Sequence, residues 1–227
     1  MLVMAHVARI SARRAGGPLV PIALDLPPDV LATHRVPGQY VSIAAGGENG
    51  FFVLGSAVGA GRWELLVRAS GTVSEALLSA PIGATFEVTA ALGGGFPMTE
   101  SRARTLVLLA AGTGIAAATP ILAQRFEEGD AARTDVFLGL RQVADLPCPR
   151  DVDAWRQAGA RVTVCVSREE PSGPGVARGH VQDVAAARLG SGAGALMFAV
   201  GPEQMIDGAR ALAKSLGMPE ADFRTNY

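Results

Sequence analysis

The stretch TLVLLAAGTGIAAATPILAQRF, residues 105–126, decides the fold class of this chain. Its apolar beginning, residues 105–110, predicts a short buried strand, and residues 115–126 predict a helix. Residues 105–124 carry no charge and are long enough to span a bilayer, but two glycines in their middle and Pro120 interrupt them. We therefore interpret it as a strand, a glycine turn and a helix, and we expect no membrane span.

The turn between this strand and this helix reads Gly112-Thr113-Gly114-Ile115-Ala116-Ala117. It fits the G-x-G-x-x-G/A pattern that binds dinucleotides, in the strand-to-helix context that the pattern requires. Glycines let the backbone approach a pyrophosphate, and the N–H groups of the first helical turn hold the anion. Residues 112 to 115 are therefore candidate cofactor-binding residues. The alternative is a tight turn that merely needs glycine.

The apolar segments of the first half of the chain differ in length and spacing from those of the second half. In the first half, apolar runs are short and separated by turns that carry glycine or proline, which predicts a small six-stranded antiparallel barrel or sandwich. The predicted strands are residues 2–10, 19–24, 39–44, 51–57, 63–69 and 85–90, and a short helix is predicted at 73–79.

In the second half, apolar strands alternate with helical segments, which predicts an α/β doubly wound parallel sheet with helices on both faces. The strands are residues 105–110, 134–138, 161–166 and 195–200, and the helices are 115–126, 152–158, 181–188 and 203–216. We place the boundary in the polar stretch 97–103. This gives a β-barrel domain, residues 1–100, and an α/β domain, residues 101–227.

Composition excludes several classes of function. The 227 residues include 20 basic and 21 acidic side chains, so the net charge of −1 offers no surplus for nucleic acid. Cys148 and Cys165 are the only cysteines, too few for a disulfide framework or a cysteine-ligated iron–sulfur cluster. The three histidines show no metal-ligand spacing. We expect a cytoplasmic protein without a metal, and the sequence does not indicate its oligomeric state.

Arginines follow two strands of the predicted parallel sheet. Arg141 comes after the second strand, and Ser167-Arg168 after the third. In a dinucleotide-binding fold, an acid at such a strand end favours the ribose hydroxyl, and an arginine favours a ribose phosphate. NADP is therefore favoured over NAD. Glu169 and Glu170 follow at once, and pairing between these acids and the arginines is the alternative.

A second candidate anion site lies in the first half, where Gly71-Thr72-Val73-Ser74 precedes the short helix. Glycine and hydroxyl residues at a first helical turn suit a diphosphate, although Ser and Thr are also ordinary helix caps. Nearby, Phe51 and Phe52 are adjacent in a predicted strand, so their side chains point to opposite faces. We expect one to pack in the barrel and the other to be free to line a cofactor.

The order of these features resembles the ferredoxin-NADP reductase superfamily, over nearly the whole chain. The matching segments are Val36-Pro37-Gly38-Gln39-Tyr40-Val41, residues 50–56, Gly71-Thr72-Val73-Ser74-Glu75-Ala76-Leu77, Pro81-Ile82-Gly83, Leu92-Gly93-Gly94-Gly95-Phe96, Gly112-Thr113-Gly114-Ile115 and Gly201-Pro202-Glu203-Gln204-Met205. This series of segments in this order is much more specific for the superfamily than any single segment is.

The resemblance implies a barrel that binds FAD, an α/β domain that binds NAD(P)H, and hydride transfer between them. The implied flavin residues are Phe52, Val53, Leu54, Gly55, Ser56, Val67, Arg68, Gly71, Thr72, Val73 and Ser74. The implied nicotinamide-nucleotide residues are Gly112, Thr113, Gly114, Ile115, Arg141, Ser167, Arg168, Gly201, Pro202 and Met205. Because the chain has no cluster-binding domain, the electron acceptor is expected to be a separate protein or small molecule.

Tyr227 ends the chain, and plant-type members of the superfamily end in an aromatic residue that covers the flavin ring. The same role is expected of Tyr227, with a terminus without function as the alternative. No general acid or base is expected, because hydride transfer chiefly needs proximity and tuning of the flavin.

The chain departs from the family pattern at several positions. Gly50 stands where the family has an arginine for the flavin diphosphate, and Val53 where it has a serine beside the reactive flavin nitrogen. Arg68 is a candidate for the missing positive charge, with an exposed strand residue as the alternative. These departures leave a second hypothesis, a divergent member with weak or lost FAD binding that acts as a nucleotide-binding or partner-binding subunit. A non-redox nucleotide-binding domain with an attached barrel is the third.

Overall fold

The computed structural model describes residues 5–14 and 17–226. Six antiparallel strands form the first sheet, in the order β4-β3-β6-β1-β2-β5. They are β1 (His6–Arg13), β2 (Val20–Asp25), β3 (Tyr40–Ala45), β4 (Glu48–Val53), β5 (Trp63–Val67) and β6 (Thr85–Val88). A bridge between Leu54 and Leu65 joins the end of β4 to β5, so the sheet nearly closes. The predicted antiparallel barrel is confirmed.

A short helix covers one opening of this barrel. Helix α1 (Pro28–Leu31) is a single turn, whereas α2 (Thr72–Ser79) buries Val73 and Leu77 in the barrel core. Arg13 of β1 holds the other end of α2, because its guanidinium donates hydrogen bonds to carbonyl groups in residues 77–80. The predicted helix at 73–79 is therefore present, one residue longer.

Six parallel strands form the second sheet, in the order β10-β9-β8-β7-β11-β12. They are β7 (Leu106–Ala111), β8 (Thr134–Leu140), β9 (Arg161–Val166), β10 (Val176–Arg178), β11 (Leu196–Val200) and β12 (Phe223–Thr225). The helices are α3 (Met98–Ser101), α4 (Ala118–Glu127), α5 (Pro149–Gln157), α6 (Val181–Arg188) and α7 (Glu203–Ser215), and four short 3₁₀ turns link the elements.

The helices cover both faces of the parallel sheet. Alternate residues of β7 point to opposite sides, with Leu108 packed among residues of α4 and α5 and Leu109 among residues of α6 and α7. The two apolar layers enclose the sheet, which is why its central strands are apolar throughout. The predicted doubly wound α/β arrangement is confirmed. None of the described helices is long and apolar enough to cross a membrane.

The largest differences from the sequence prediction are in four strands. β1 was expected to end at residue 10, but it continues to Arg13. β4 was expected at residues 51–57, but it begins at Glu48, because a two-residue turn brings polar residues into its pairing with β3. The short outer strands β10 and β12 were not predicted. Each has three residues, too few for a periodic apolar pattern, and each depends on pairing with a longer neighbour.

The segment between the sheets, expected to be a polar stretch at residues 97–103, contains buried groups. Phe96, just before it, stacks on Phe198 of β11 with ring centroids 4.6 Å apart. The fully buried Arg125 of α4 donates hydrogen bonds to the carbonyl oxygens of Ser101 and Arg104, at 2.5 and 2.9 Å. Its charge is paired with Asp130 at 3.2 Å. This network ties the connecting segment to the parallel sheet.

Candidate functional site

A cleft of about 600 Å³ lies at the carboxyl ends of the parallel strands, where this fold class binds ligands. From the parallel-sheet half it is lined by the predicted residues Gly112, Arg141, Ser167, Arg168, Pro202 and Met205. From the barrel half it is lined by Pro18, Leu19 and Arg68. The cleft therefore has walls from both halves of the molecule.

Glycines bring the backbone segments at the floor of the cleft together. Gly112 has φ +58, a left-handed conformation that suits glycine. A Cβ at Gly114 would lie 2.4 Å from the carbonyl oxygen of Val200, and one at Gly201 would lie 3.0 Å from that of Ala111. No side chain fits at these contacts, so the turn after β7 lies directly against the end of β11.

The turn formed by Gly112–Ala117, called the fingerprint turn below, contains residues that differ in their exposure to solvent. Gly112 to Ala117 form a 3₁₀ helix that runs directly into α4. Thr113 is partly exposed, whereas Ile115 is buried in the core between the sheet and α4. Backbone groups of this turn, together with the Thr113 hydroxyl, are therefore what it can offer to a ligand, and Ile115 packs in the core.

Arg141 and Arg168 line the cleft with exposed guanidinium groups, and the amide of Arg168 donates to the carbonyl of Arg141 at 3.0 Å. The two acids that follow are engaged elsewhere. Glu169 accepts a hydrogen bond from the amide of Val143 at 2.5 Å, and Glu170 pairs with Arg178. Neither acid pairs with the cleft arginines, so the charges of both arginines face the cleft.

Arg68 extends from the end of β5 toward this cleft. Its Nη1 lies 4.0 Å from the position that a Cβ on Gly112 would take. Arg68 follows β5 of the barrel and Gly112 follows β7 of the parallel sheet, so the contact joins the two halves. Arg68 thus adds a third guanidinium to the cleft, where it faces the fingerprint turn.

The end of β4 is shared between the barrel core and the interface between the two halves. Phe52 packs against the barrel core, and Leu54 is fully buried in it. Val53 packs against the core of the parallel-sheet half. A Cβ on Gly55 would lie 3.2 Å from the Cβ of Ala116, so β4 ends against the fingerprint turn. Ser56 is buried there, and its hydroxyl has no hydrogen-bond partner in the described chain.

Of the two adjacent phenylalanines, Phe51 is the free one. Its side chain is 68% exposed, whereas Phe52 is partly buried. Phe51 contacts the edge of the Tyr40 ring, with centroids 5.9 Å apart and planes at 77°. Tyr40 pairs with Val53 and Phe51 with Ser42, so Tyr40, Phe51 and Val53 share the outer face of the β3–β4 hairpin.

The candidate diphosphate turn at the start of α2 has unpaired backbone donors. Gly71 precedes the helix and makes no side-chain cap, and Thr72 is exposed. The Ser74 hydroxyl donates to the carbonyl of Gly71 at 2.8 Å and accepts from the amide of Ser70 at 2.9 Å. Val67 and Val73 are buried in the barrel core. Backbone amides and the exposed Thr72 side chain are therefore what this turn offers to an anion, while the Ser74 hydroxyl is engaged within the turn.

The chain returns to the barrel at its end. Asn226 is buried, and its Nδ2 donates to the carbonyl oxygen of Gly38 at 3.2 Å. Gln39 accepts from the amide of Arg35 at 2.7 Å and donates to the carbonyl of Gly93 at 3.1 Å. The Asn226–Gly38 and Gln39–Gly93 contacts, which the sequence did not reveal, join residues 36–41 to the end of the chain and to the glycine-rich stretch 92–96. Tyr227 lies outside the described residues.

The two cysteines do not add chemistry to the site. Burial raises the pKa of Cys148 and that of Cys165 to about 12, so both thiols stay neutral near pH 7. Among residues 5–14 and 17–226, no three His, Cys, Asp or Glu side chains come together as metal ligands.

Comparison with known proteins gives one match to a family model and several solved structures with the same fold. Residues 108–211 match the family model of the oxidoreductase NAD-binding domain. No curated protein matches the sequence significantly.

Solved structures with the same fold cover nearly the whole chain. The cytochrome P450 reductase of Amycolatopsis is 20% identical, with a TM-score of 0.87 over 98% of this chain and 69% of that chain. The FAD/NAD-binding domain of nitric oxide dioxygenase from Vibrio cholerae is 18% identical, with a TM-score of 0.83 over 97% of each chain. A ferredoxin NADP+ reductase from Neisseria gonorrhoeae, solved with bound FAD and NADP, is 16% identical, with a TM-score of 0.80 over 98% of this chain and 99% of that one.

Proposed function

We propose that this chain, which has the two-sheet fold of the ferredoxin-NADP reductase superfamily, is an NAD(P)H-dependent flavin oxidoreductase. The barrel, residues 1–100, is the flavin domain, and residues 101–227 are the nicotinamide-nucleotide domain. The single observation that carries the proposal is the cleft with walls from both halves, because hydride transfer requires the two reactants to meet.

The floor and rim of the cleft fit a nicotinamide dinucleotide. Gly112 and Gly114 bring the turn after β7 close to the end of β11, which leaves room above it for a pyrophosphate. Pro202 and Met205, at the start of α7, form the wall beside this turn. We assign the pyrophosphate to the amides of the fingerprint turn, with Arg68 opposite them.

The ribose end is assigned to the arginines at the ends of β8 and β9. Arg141 and Arg168 have no acid paired with them, so a guanidinium is available for a 2′-phosphate. Ser167 lies between the two at the cleft wall. We therefore propose NADPH as the preferred donor, with NADH as the weaker one.

The barrel offers a partial fit to FAD. The first turn of α2 supplies backbone donors for a diphosphate, and Phe51 with Tyr40 supplies an exposed aromatic surface. Phe52 and Leu54 form the strand behind this surface by packing into the barrel core. When bound, the flavin would accept two electrons as a hydride and release them to an acceptor.

The acceptor is proposed to be separate from this chain. Solved structures of this fold include a cytochrome P450 reductase and a ferredoxin reductase in carbazole 1,9a-dioxygenase, and their names support an acceptor that is a separate component. A divergent, partner-binding subunit with weak flavin binding remains the second candidate, and Gly50 and Val53 favour it.

An anaerobic titration tests the proposal. Full-length protein, mixed with FAD, is treated with NADPH while the visible flavin absorbance is recorded. We expect the flavin band to bleach and the NADPH to be consumed in equal amount. Persistence of the band, with NADPH bound but unchanged, would favour the partner-binding subunit instead.

A further inference from the structure

A second opening between the two halves is a narrow slot of about 70 Å³, which shares no lining residue with the cleft assigned to NADPH. Alternate residues along β5 connect the two sites. Glu64 lines the slot, Leu66 packs in the core of the parallel-sheet half, and Arg68 lines the cleft. At about 3.3 Å per residue, Glu64 and Arg68 lie roughly 13 Å apart along the strand. The slot is therefore a separate site at the other end of the interface.

The walls of the slot are apolar and come from both halves. Leu66 belongs to the barrel, Ile115 and Ala116 belong to the fingerprint turn, and Pro147 and Cys148 precede α5. Burial raises the pKa of Cys148 to about 12, so its thiol stays neutral and acts as another apolar wall. A small aliphatic group fits such walls, because its apolar surface leaves water there.

The slot also carries charges of both signs. Glu64 of β5 and Asp151 of α5 line it from opposite halves, and Arg14, just after β1, lines it from the barrel. Within the described parts of the chain, the side chains of Arg14 and Asp151 have no hydrogen-bond or ion-pair partner. Glu64 lies 3.9 Å from Arg62 and both side chains are exposed, so this pair is weak. Besides burial, Asp151 raises the pKa of Cys148 and Arg14 lowers it, so both charges lie near one thiol.

Two wider grooves, of about 550 and 460 Å³, meet the slot at Glu64 and at Thr119 of α4, which line all three spaces. The polar end of a ligand in the slot would therefore remain close to water. Among the described residues, no three His, Cys, Asp or Glu side chains come together as metal ligands. An ammonium group suits the two carboxylates of the slot, because it donates hydrogen bonds and needs no closed set of ligands.

From this arrangement we infer that the slot binds an α-amino acid with a short aliphatic side chain. The aliphatic group lies against the apolar walls, and the ammonium group donates to the carboxylates of Glu64 and Asp151. The carboxylate of the ligand accepts from the Arg14 guanidinium and the Thr119 hydroxyl. Because the ligand contacts both halves of the folded molecule, its binding also stabilises the fold.

Calorimetric titration of the full-length protein with L-leucine tests the inference, and we expect saturable binding at one site per chain. Three related probes each lack one group of L-leucine. Leucinamide has no carboxylate, N-acetyl-L-leucine has no ammonium group, and glycine has no aliphatic side chain. Each should bind at least about tenfold more weakly, because it loses a charge-assisted hydrogen bond or the buried aliphatic group. No saturable binding of L-leucine, or equal affinity for glycine, would overturn the inference.

Two variants locate the charged groups of the ligand. Glu64→Gln should weaken L-leucine about tenfold and leave N-acetyl-L-leucine unchanged, because only L-leucine carries the ammonium group. Arg14→Gln should weaken L-leucine by a similar factor and leave leucinamide unchanged. Glu87→Gln is the matched control, since Glu87 is an exposed acid of β6 that lines neither the slot nor the two grooves. Equal losses in Glu64→Gln and Glu87→Gln, or losses that are the same for every probe, would overturn the assignment.

The inference does not rest on the proposed function, because the titration contains neither NADPH nor flavin. A second titration, in the presence of saturating NADPH, shows whether the two ligands use different sites. L-Leucine should still bind, since the slot and the cleft share no lining residue. Competition between L-leucine and NADPH would place the amino acid in the cleft and overturn the inference.

Discussion

Arg141 and Arg168 are two guanidinium groups at one strand edge without acidic partners. Because a hydrogen bond to a charged group contributes about 1.5–3 kcal/mol, removing Arg168 should raise the KM for NADPH roughly 10- to 100-fold. NADH has no 2′-phosphate and should be little affected. Steady-state kinetics of Arg168→Ala with both donors measures this difference.

Arg102→Ala is the matched control. Arg102 is also an exposed arginine of this half, but it pairs with Glu128 and does not line the cleft. Its removal should leave both KM values unchanged. Equal increases for NADPH and NADH in Arg168→Ala would contradict the assignment of a phosphate to this residue.

For single residues, the sequence predicted the location of the glycine and arginine positions in the cleft better than the orientation of the apolar side chains. The cleft brings together Gly112, Arg141 and Arg168, because strand-end positions follow directly from the order of strands. Which phenylalanine is free was not predictable, since the alternation of a strand says that two neighbours differ but not which faces the core. The hairpin pairing puts Phe52 on the core side.

The glycine turn after β7 is the element on which the proposed nucleotide binding depends. An added methyl group at Gly114 would lie 2.4 Å from the Val200 carbonyl and would force the turn away from β11. We expect Gly114→Ala to lower the free energy of unfolding by about 1–3 kcal/mol, as overpacking does, and to weaken NADPH binding. Urea unfolding and a binding titration measure the two effects.

Gly190→Ala serves as the control for this substitution. A Cβ at Gly190 meets nothing within 4 Å, so the stability and the NADPH affinity should match those of the parent protein. If Gly114→Ala behaved like Gly190→Ala, the close packing of the turn against β11 would not be what shapes the site.

At the scale of elements, long periodic segments were predictable and short ones were not. The four central parallel strands follow from apolar runs that are buried on both faces. β10 and β12 have three residues each, and they exist because longer strands offer them partners. The contact between the β3–β4 hairpin and α2, at Gly46 and Thr72, was also beyond sequence reasoning, because it depends on how closely two distant segments pack.

His34 couples the stability of the whole molecule to pH. It is buried, its Nε2 has no partner in the described chain, and burial lowers its pKa to about 4. In the unfolded chain an ordinary histidine has a pKa of about 6.5, so the unfolded state binds the proton first as the pH falls. The folded state therefore loses stability between about pH 6.5 and pH 4.

The expected change in the free energy of unfolding follows from the difference between the folded and unfolded pKa of His34. Between pH 7 and pH 5, protonation of the unfolded state should lower the free energy of unfolding by about 2 kcal/mol. Urea unfolding at the two pH values, for the parent protein and for His34→Leu, isolates the contribution of this imidazole. An unchanged pH dependence in His34→Leu would mean that other groups cause it.

The relative placement of the two halves follows from contacts made at several points. Phe96 stacks on Phe198, the end of β4 rests on the fingerprint turn, and Asn226 donates to Gly38. These contacts fix the two halves relative to each other, and residues of both halves line the cleft. The proposed function requires that a ligand of the barrel and a ligand of the parallel sheet meet there.

Single-turnover transfer of hydrogen tests this central claim most directly. NADPH carrying deuterium at C4, on one face or on the other, is mixed anaerobically with the protein and one equivalent of flavin. We predict that flavin reduction slows with deuterium on one face only, because the cleft presents one face of the nicotinamide to the flavin. Reduction equally fast with both labelled donors and with unlabelled NADPH, or no reduction at all, would contradict hydride transfer in this cleft.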